Sequence, residues 1–78
     1  MLKPEVFNDI EHPVLRAYNR TMTALTLYRE NGGDATAEYL DGFAEKERMA
    51  IVAMLLSYQK DPNKVRQQVR DIAHENLQ

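Results

Sequence analysis

Four acidic residues recur at helical spacing in the middle of the chain. They are Asp34, Glu38, Asp41 and Glu45. Steps of four, three and four positions put them on one face if a single helix carries them all. Clustered carboxylate oxygens are ligands that Mg²⁺ accepts, so this face is a candidate metal site. The alternative is a solvated acidic face near a helix N-terminus, where negative charge is mildly stabilising.

Part of this acidic set resembles a catalytic motif. The segment Glu38-Tyr39-Leu40-Asp41 has the Glu-x-x-Asp form used by all-α nucleotide pyrophosphohydrolases of the MazG type. That family pairs the motif with an upstream Glu-x-x-Glu on a facing helix, whereas the upstream helix here offers only Glu11 and Glu30 near its ends. A metal-dependent hydrolase acting through residues 34–45 is therefore the third of three hypotheses. We predict no enzymatic activity, no cofactor and no metal site.

The other reactive residue types do not form a recognisable site. His12 and His74 are the two histidines, and neither belongs to a Glu-x-x-His or His-x-x-x-His arrangement. Asp71 lies three positions before His74, a spacing more typical of a surface ion pair than of a metal site. The Gly32-Gly33 pair lacks the lysine of a phosphate-binding loop. Cysteine is absent, which excludes disulfides and thiolate ligands from this chain.

One concentration of positive charge surrounds the last predicted helix. It consists of Lys60, Lys64, Arg66 and Arg70. Such side chains contact phosphates, so a DNA-binding regulator that uses this helix is the second hypothesis. Nearby Asp61, Asp71 and Glu75 dilute the charge, and the whole chain has ten basic against twelve acidic residues. Nucleic acid is therefore an alternative partner, not the favoured one.

Aromatic residues gather in the sequence around the Gly32-Gly33 turn. Tyr28 precedes the turn, and Tyr39 and Phe43 follow it, so the three can meet at one end of a helical bundle. Tyrosine is favoured at protein interfaces, although it also sits at the edges of cores with its hydroxyl in water. We predict that Tyr28, Tyr39 and Phe43 form a partner-binding patch. Core packing is the competing interpretation.

The elements that position these residues are predicted to be helices. Prolines suited to the first helical turn and glycines suited to a C-terminal cap set the boundaries. The predicted helices cover about 13–30, 35–59 with a kink or break near Gly42, and 62–75, after an N-terminal arm or short helix within residues 1–12. The predicted fold class is an all-α small bundle of three to four helices, forming a single domain over residues 1–78.

The most apolar stretch runs from Met49 to Leu56, eight residues without a polar side chain. A helix that is apolar all round must be covered on most sides, so we predict that this stretch is the centre of the core. It is far shorter than the ~20 apolar residues that cross a bilayer, and the N-terminus does not resemble a signal peptide. We therefore expect a cytoplasmic protein without a membrane partner.

The length of the chain favours association with other molecules. A domain of 78 residues buries only about 60% of its unfolded surface, so its stability is marginal. Without disulfides, self-association is the compensation that remains open. The favoured hypothesis is a non-catalytic protein–protein interaction module, which means a small regulator, adaptor or inhibitor of bacterial or phage type. We expect it to bind another protein and to form a homodimer.

Overall fold

The computed structural model describes residues 12–76, which form four α-helices. They are α1 (Pro13–Asn31), α2 (Gly33–Asp41), α3 (Glu45–Lys60) and α4 (Pro62–Asn76). No strand occurs among the described residues. The predicted all-α bundle of three to four helices is therefore confirmed. The predicted N-terminal arm or short helix falls on residues 1–12 and, apart from His12, lies outside the described residues.

Helix α1 begins and ends where the sequence indicates. His12 is the N-cap, and its ring Nδ1 accepts a hydrogen bond from the Val14 N–H at 3.2 Å. At the other end Gly32 has φ +89°, a conformation that L side chains rarely adopt. The Gly32 N–H donates to the Tyr28 carbonyl oxygen at 3.0 Å. This cap lets α2 start immediately after α1 in a new direction.

The predicted helix 35–59 is broken near Gly42, as one of the two predicted forms. Helix α2 ends at Asp41, Gly42 is its C-cap, and α3 begins at Glu45. Gly42 has an ordinary negative φ of −71°. Glycine is therefore not required here by a left-handed backbone conformation, and the break reflects its weak helix propensity. Asp34 is a residue type that favours the N-cap, but α2 already starts at Gly33 with Gly32 as its N-cap, so Asp34 lies in the first turn.

The pair Asp61-Pro62 combines a capping acid with a proline suited to the first helical position, and α4 begins there. The Asp61 carboxylate accepts a hydrogen bond from the Lys64 N–H at 3.2 Å, which satisfies a free donor of the first turn. The spacing of Val65, Val69, Ile72, Ala73 and Leu77 predicts an apolar side on α4, and Val65, Val69 and Ala73 are buried there. Leu77, the last residue of that predicted series, lies outside the described residues.

The main buried cluster joins the first described helix to the last. It consists of Leu15, Val65, Val69 and Ala73, and the partly buried Tyr18, Met54, Tyr58 and Ile72 pack against it. Tyr18 on α1 and Tyr58 on α3 meet edge to face, with ring centroids 6.4 Å apart. The core is thus centred on the α1–α4 contact, and α3 contributes to it from one side.

The prediction that residues 49–56 form the centre of the core is wrong. Within that stretch Ile51 is fully buried, whereas Met49, Val52 and Leu56 are 64%, 45% and 61% exposed. Helix α3 packs on α1 and α4 with one side only. Helices α1, α2 and α4 are too few and too short to enclose α3, so the other side of α3 faces outward.

The spacing of Val14, Tyr18, Met22, Leu25 and Arg29 predicts one face of α1 as its buried side, and the structure buries other positions. The large side chains of Val14, Tyr18, Met22 and Leu25 are only half-buried, and Arg29 is exposed. The buried positions are Leu15, Ala17, Asn19, Thr21 and Ala24. Most of these side chains are small, and small residues let the α1 and α3 backbones approach closely. A pattern based on large apolar residues misses a contact of this kind.

Thr21 provides a test of this close contact. Its side chain is fully buried, and its hydroxyl oxygen lies 2.8 Å from the Ala17 carbonyl oxygen and 3.3 Å from the Ile51 carbonyl oxygen. Thr21→Val keeps the shape and removes the hydroxyl, so we expect the free energy of unfolding to fall by about 1 kcal/mol. Urea unfolding followed by circular dichroism measures the change.

The matched control is Thr26→Val. The Thr26 hydroxyl donates to the carbonyl of Met22 at 2.9 Å in the same way, but on the exposed side of α1. There water replaces the lost hydrogen bond, and we expect almost no change in stability. Equal losses at the two positions would show that burial against α3 adds nothing to the Thr21 hydrogen bond.

Candidate functional site: an apolar surface on α3 and an adjoining groove

The outward side of α3 carries a continuous apolar surface. We call it the α3 face, and it consists of Met49, Val52, Ala53 and Leu56, flanked by Glu45 and Arg48. Steps of three and four positions keep the large residues on one side of the helix. Large apolar side chains that are exposed together, not singly, mark interaction sites in soluble proteins.

A groove between three helices adjoins the α3 face. Its volume is about 340 Å³. Its lining consists of Thr21, Ala24, Leu25 and Tyr28 from α1, Thr36 and Leu40 from α2, and Ile51, Val52, Leu55 and Gln59 from α3. Val52 lines the groove and also belongs to the α3 face. The two features therefore form one apolar surface.

The short helix α2 forms one side of the groove through Thr36 and Leu40. Only Gly32 separates α2 from α1, and α2 contains no buried residue. The Tyr28 ring stands beside the start of α2, with its Cε1 3.8 Å from the position that a side chain on Gly33 would take. Tyr28 is itself exposed. Its ring thus forms one rim of the groove.

The structure brings two of the three predicted partner-binding residues into contact. Tyr39 and Phe43 meet edge to face with ring centroids 5.2 Å apart. The Arg20 guanidinium carbon lies 4.5 Å from the centroid of the Phe43 ring, and Arg20 Nη1 lies 2.9 Å from Glu47 Oε2. Phe43 is thereby held against α1 at the α2–α3 junction. Tyr28 lies on the rim of the groove, whereas Tyr39 and Phe43 lie at the α2–α3 junction.

Arg20 corrects another expectation from the sequence. The four-residue spacing of Arg16 and Arg20 predicts that both lie on the solvated side of α1. Instead Arg20 is half-buried, with Phe43 on one side and Glu47 on the other. Stacking on an aromatic ring and pairing with a carboxylate are both favourable for a guanidinium. Arg20 therefore connects α1 to the junction and to α3.

The predicted basic residues fall into two groups. Arg66 Nη2 lies 2.7 Å from the Tyr58 hydroxyl, and its guanidinium lies over the Tyr58 ring. Arg70 follows four positions later on the same side of α4. Lys60 and Lys64 line a separate depression beside the α3–α4 turn. The four cations therefore do not form the continuous stripe that tracking a nucleic-acid backbone favours.

The predicted acidic face is divided by the break at Gly42. Asp34, Glu38 and Asp41 lie on α2, whereas Glu45 opens α3. Across residues 12–76 no group of three or more histidine, aspartate or glutamate side chains is arranged to hold a metal ion. The acids on α2 are solvent-exposed, as expected for a solvated helix face.

The surface-forming apolar residues are the ones that the sequence interpretation placed elsewhere. The apolar stretch 49–56 predicts Met49, Val52 and Leu56 in the core, whereas the structure exposes them. One signal in the sequence does point to the surface. The stretch 49–56 presents apolar side chains in every direction, which is more than three neighbouring helices can cover.

No protein-family model, curated protein or solved structure matches this chain. Among residues 12–76, no helix has both the length and the apolar character required to cross a bilayer. The α3 face and the groove are therefore the features of the molecule from which a function is proposed.

Proposed function

We propose that this protein is a non-catalytic protein–protein interaction module that uses the α3 face and the adjoining groove to bind its partner. The observation that carries the proposal is the exposure of Met49 and Leu56, each with more than half of its side chain outside the core. A regulator, adaptor or inhibitor that acts in the cytoplasm by contact needs a surface of this kind and no catalytic group.

The shape of the surface fits the docking of a helix. Amphipathic helices lay their apolar side into grooves and use anchors spaced by three, four and seven positions. Here the groove between α1, α2 and α3 is open along Val52 and Leu55 and is rimmed by Tyr28. Tyrosine supplies a large contact area at low conformational entropy. Thr36 and Gln59 add hydrogen-bonding groups that can orient the bound segment.

The energetics also favour binding. Fully burying one leucine or methionine side chain stabilises a complex by about 1.5–3 kcal/mol. Because Met49 and Leu56 are mostly exposed, most of this free energy is still available when a partner covers them. Association opposes this with at least about 4 kcal/mol of lost translational and rotational freedom. The apolar side chains of the α3 face must therefore be covered together to give a stable complex.

Affinity capture with the tagged full chain tests the proposal. We expect the wild type to retain one partner in stoichiometric amount. Leu56→Asp should reduce the retained amount about tenfold, because burying a carboxylate in the contact weakens the binding free energy by more than about 1.4 kcal/mol. Quantitative mass spectrometry measures the recovery. Thr26→Asp, on an exposed part of α1 away from the groove, is the matched control and should retain the partner.

Two results would count against this function. One is equal recovery with Leu56→Asp and with the wild type, which would put the contact elsewhere. The other is the absence of any partner that depends on the α3 face, including a second copy of the chain. Circular dichroism of each variant confirms that a loss of capture does not arise from unfolding.

A further inference from the structure

We infer that the occupant of the α3 face is a second copy of this chain, packed so that the two α3 helices run antiparallel about a twofold axis near Val52 and Ala53. This inference rests on the proposed function, because it names the partner of the same surface. The observation behind it is the order of residues along α3. When a second α3 runs in the opposite direction, the acidic end of each helix meets the basic end of the other, and the apolar residues between them meet.

The relevant residues lie in one line on α3. They are Glu45, Met49, Val52, Leu56 and Lys60, separated by four, three, four and four positions. At about 100° per residue, which follows from 3.6 residues per turn, all five fall within an arc of roughly 80°. The line thus begins with an acid, continues with three apolar residues and ends with a base.

When the same line of a second copy runs in the opposite direction, each charged residue faces one of opposite charge and each apolar residue faces an apolar one. A twofold axis midway between Val52 and Ala53 puts Glu45 of one copy opposite Lys60 of the other, and Met49 opposite Leu56. The small Ala53 side chain near the axis permits a close approach of the two helices. A twofold interface uses the same patch on both copies, so every one of these contacts is made twice.

Charge selects the antiparallel arrangement over the parallel one. Within the described residues, neither Glu45 nor Lys60 forms an ion pair with another side chain. In a parallel pair like charges would meet at both ends, whereas in the antiparallel pair unlike charges meet. The helix macrodipoles are also antiparallel in that case. Rim charges of this kind contribute mostly to orientation and specificity.

The size of the protomer core gives a reason for self-association. The largest fully buried side chains are Leu15, Ile51 and Thr21, and small domains commonly gain stability by oligomerisation. Helix α3 has 16 residues, a length of about 24 Å at 1.5 Å per residue. Pairing two such helices covers Met49, Val52 and Leu56 of both copies at once.

A charge-swap series tests the arrangement. Sedimentation equilibrium should show a dimer for the full wild-type chain, and Leu56→Asp should give a monomer. Glu45→Lys alone and Lys60→Glu alone should each raise the dimer Kd about tenfold, because each creates two like-charge contacts. The double variant Glu45→Lys with Lys60→Glu should restore the Kd to within about threefold of the wild-type value.

Cysteine substitution gives an independent geometric test, since the chain has no cysteine of its own. Ala53→Cys, near the axis, should oxidise to a disulfide-linked dimer. Ala37→Cys, exposed on α2, is the matched control and should remain mostly monomeric. In a mixture, Met49→Cys and Leu56→Cys should link to each other in preference to linking to themselves.

Several outcomes would overturn the inference. A wild-type chain that stays monomeric from micromolar to submillimolar concentration would do so, whether a different protein or residues 1–11 of the same chain covers the face. A double variant as weak as the single ones, or equal oxidation of Ala37→Cys and Ala53→Cys, would exclude the antiparallel pair. Loss of a captured different protein in Leu56→Asp would still support the proposed function.

Discussion

Replacing Leu15 with alanine is expected to lower the free energy of unfolding by about 2–5 kcal/mol. Leu15 is fully buried between α1 and α4, where it contacts a cluster that includes Val65 and Val69. The substitution removes apolar atoms from this cluster and leaves a cavity that rigid helices fill only in part. Because the core of a domain of this size rarely supplies more than about 3–5 kcal/mol, a large fraction of the molecules should then be unfolded.

Leu56→Ala is the matched control for this prediction, because it removes the same atoms from an exposed position on α3. We expect a change of at most about 0.5 kcal/mol in the protomer. Urea unfolding at low protein concentration keeps self-association from contributing to the measured stability. A larger loss for Leu56→Ala than for Leu15→Ala would mean that the core lies along residues 49–56 after all.

Val69→Asp should have a still larger effect and prevent stable folding. Val69 is buried in the same cluster, and its neighbours there are apolar. An ionised carboxylate without a partner costs several kcal/mol at such a site. That penalty is comparable with the entire stability of a domain of this size. We expect the variant to lack a cooperative thermal transition and the chemical-shift dispersion of a folded chain.

Gln68→Asp serves as the control for Val69→Asp. It introduces the same residue one position earlier in α4, where the side chain is exposed. There the carboxylate stays hydrated, and only the modest helix propensity of aspartate lowers stability. A normal thermal transition is expected. If Val69→Asp melted as Gln68→Asp does, α4 would not be packed on α1 through Val69.

The helix boundaries could be predicted from the sequence because local chemistry determines them. Pro13 and Asp61-Pro62 start helices through caps that need only nearby atoms. Gly32 supplies a backbone conformation that other residues rarely adopt. Gly42 weakens the helix where the structure shows the break. None of these features depends on which helix packs against which.

The location of the core could not be predicted, because it depends on contacts between distant segments. An apolar run such as 49–56 shows that a helix has surface to cover, but not how many neighbours reach it. The small residues Ala17, Thr21 and Ala24 form the buried side of α1. Their burial follows from the close approach of α3, which the sequence of α1 alone does not contain.

The candidate site was predicted in part for the same reason. Tyr39 and Phe43 lie four positions apart, so their contact follows from local spacing even though Gly42 interrupts the helix. The position of Arg20 over the Phe43 ring joins residues from different helices and has no sequence signal. The groove beside Tyr28 likewise arises from the packing of three helices. The assignment of Tyr28, Tyr39 and Phe43 to partner binding stays a prediction.

The contact between Leu15 and α4 has a consequence for synthesis on the ribosome. Leu15 meets Val65, Val69 and Ala73, so fifty positions (15 to 65) separate it from the first of these neighbours. At about 5–20 residues per second, the ribosome needs roughly 3–10 s to extend the chain from Leu15 to Val65. Helix α3 ends at Lys60, before Val65 is added, so its apolar side chains are available to chaperones before the core can form.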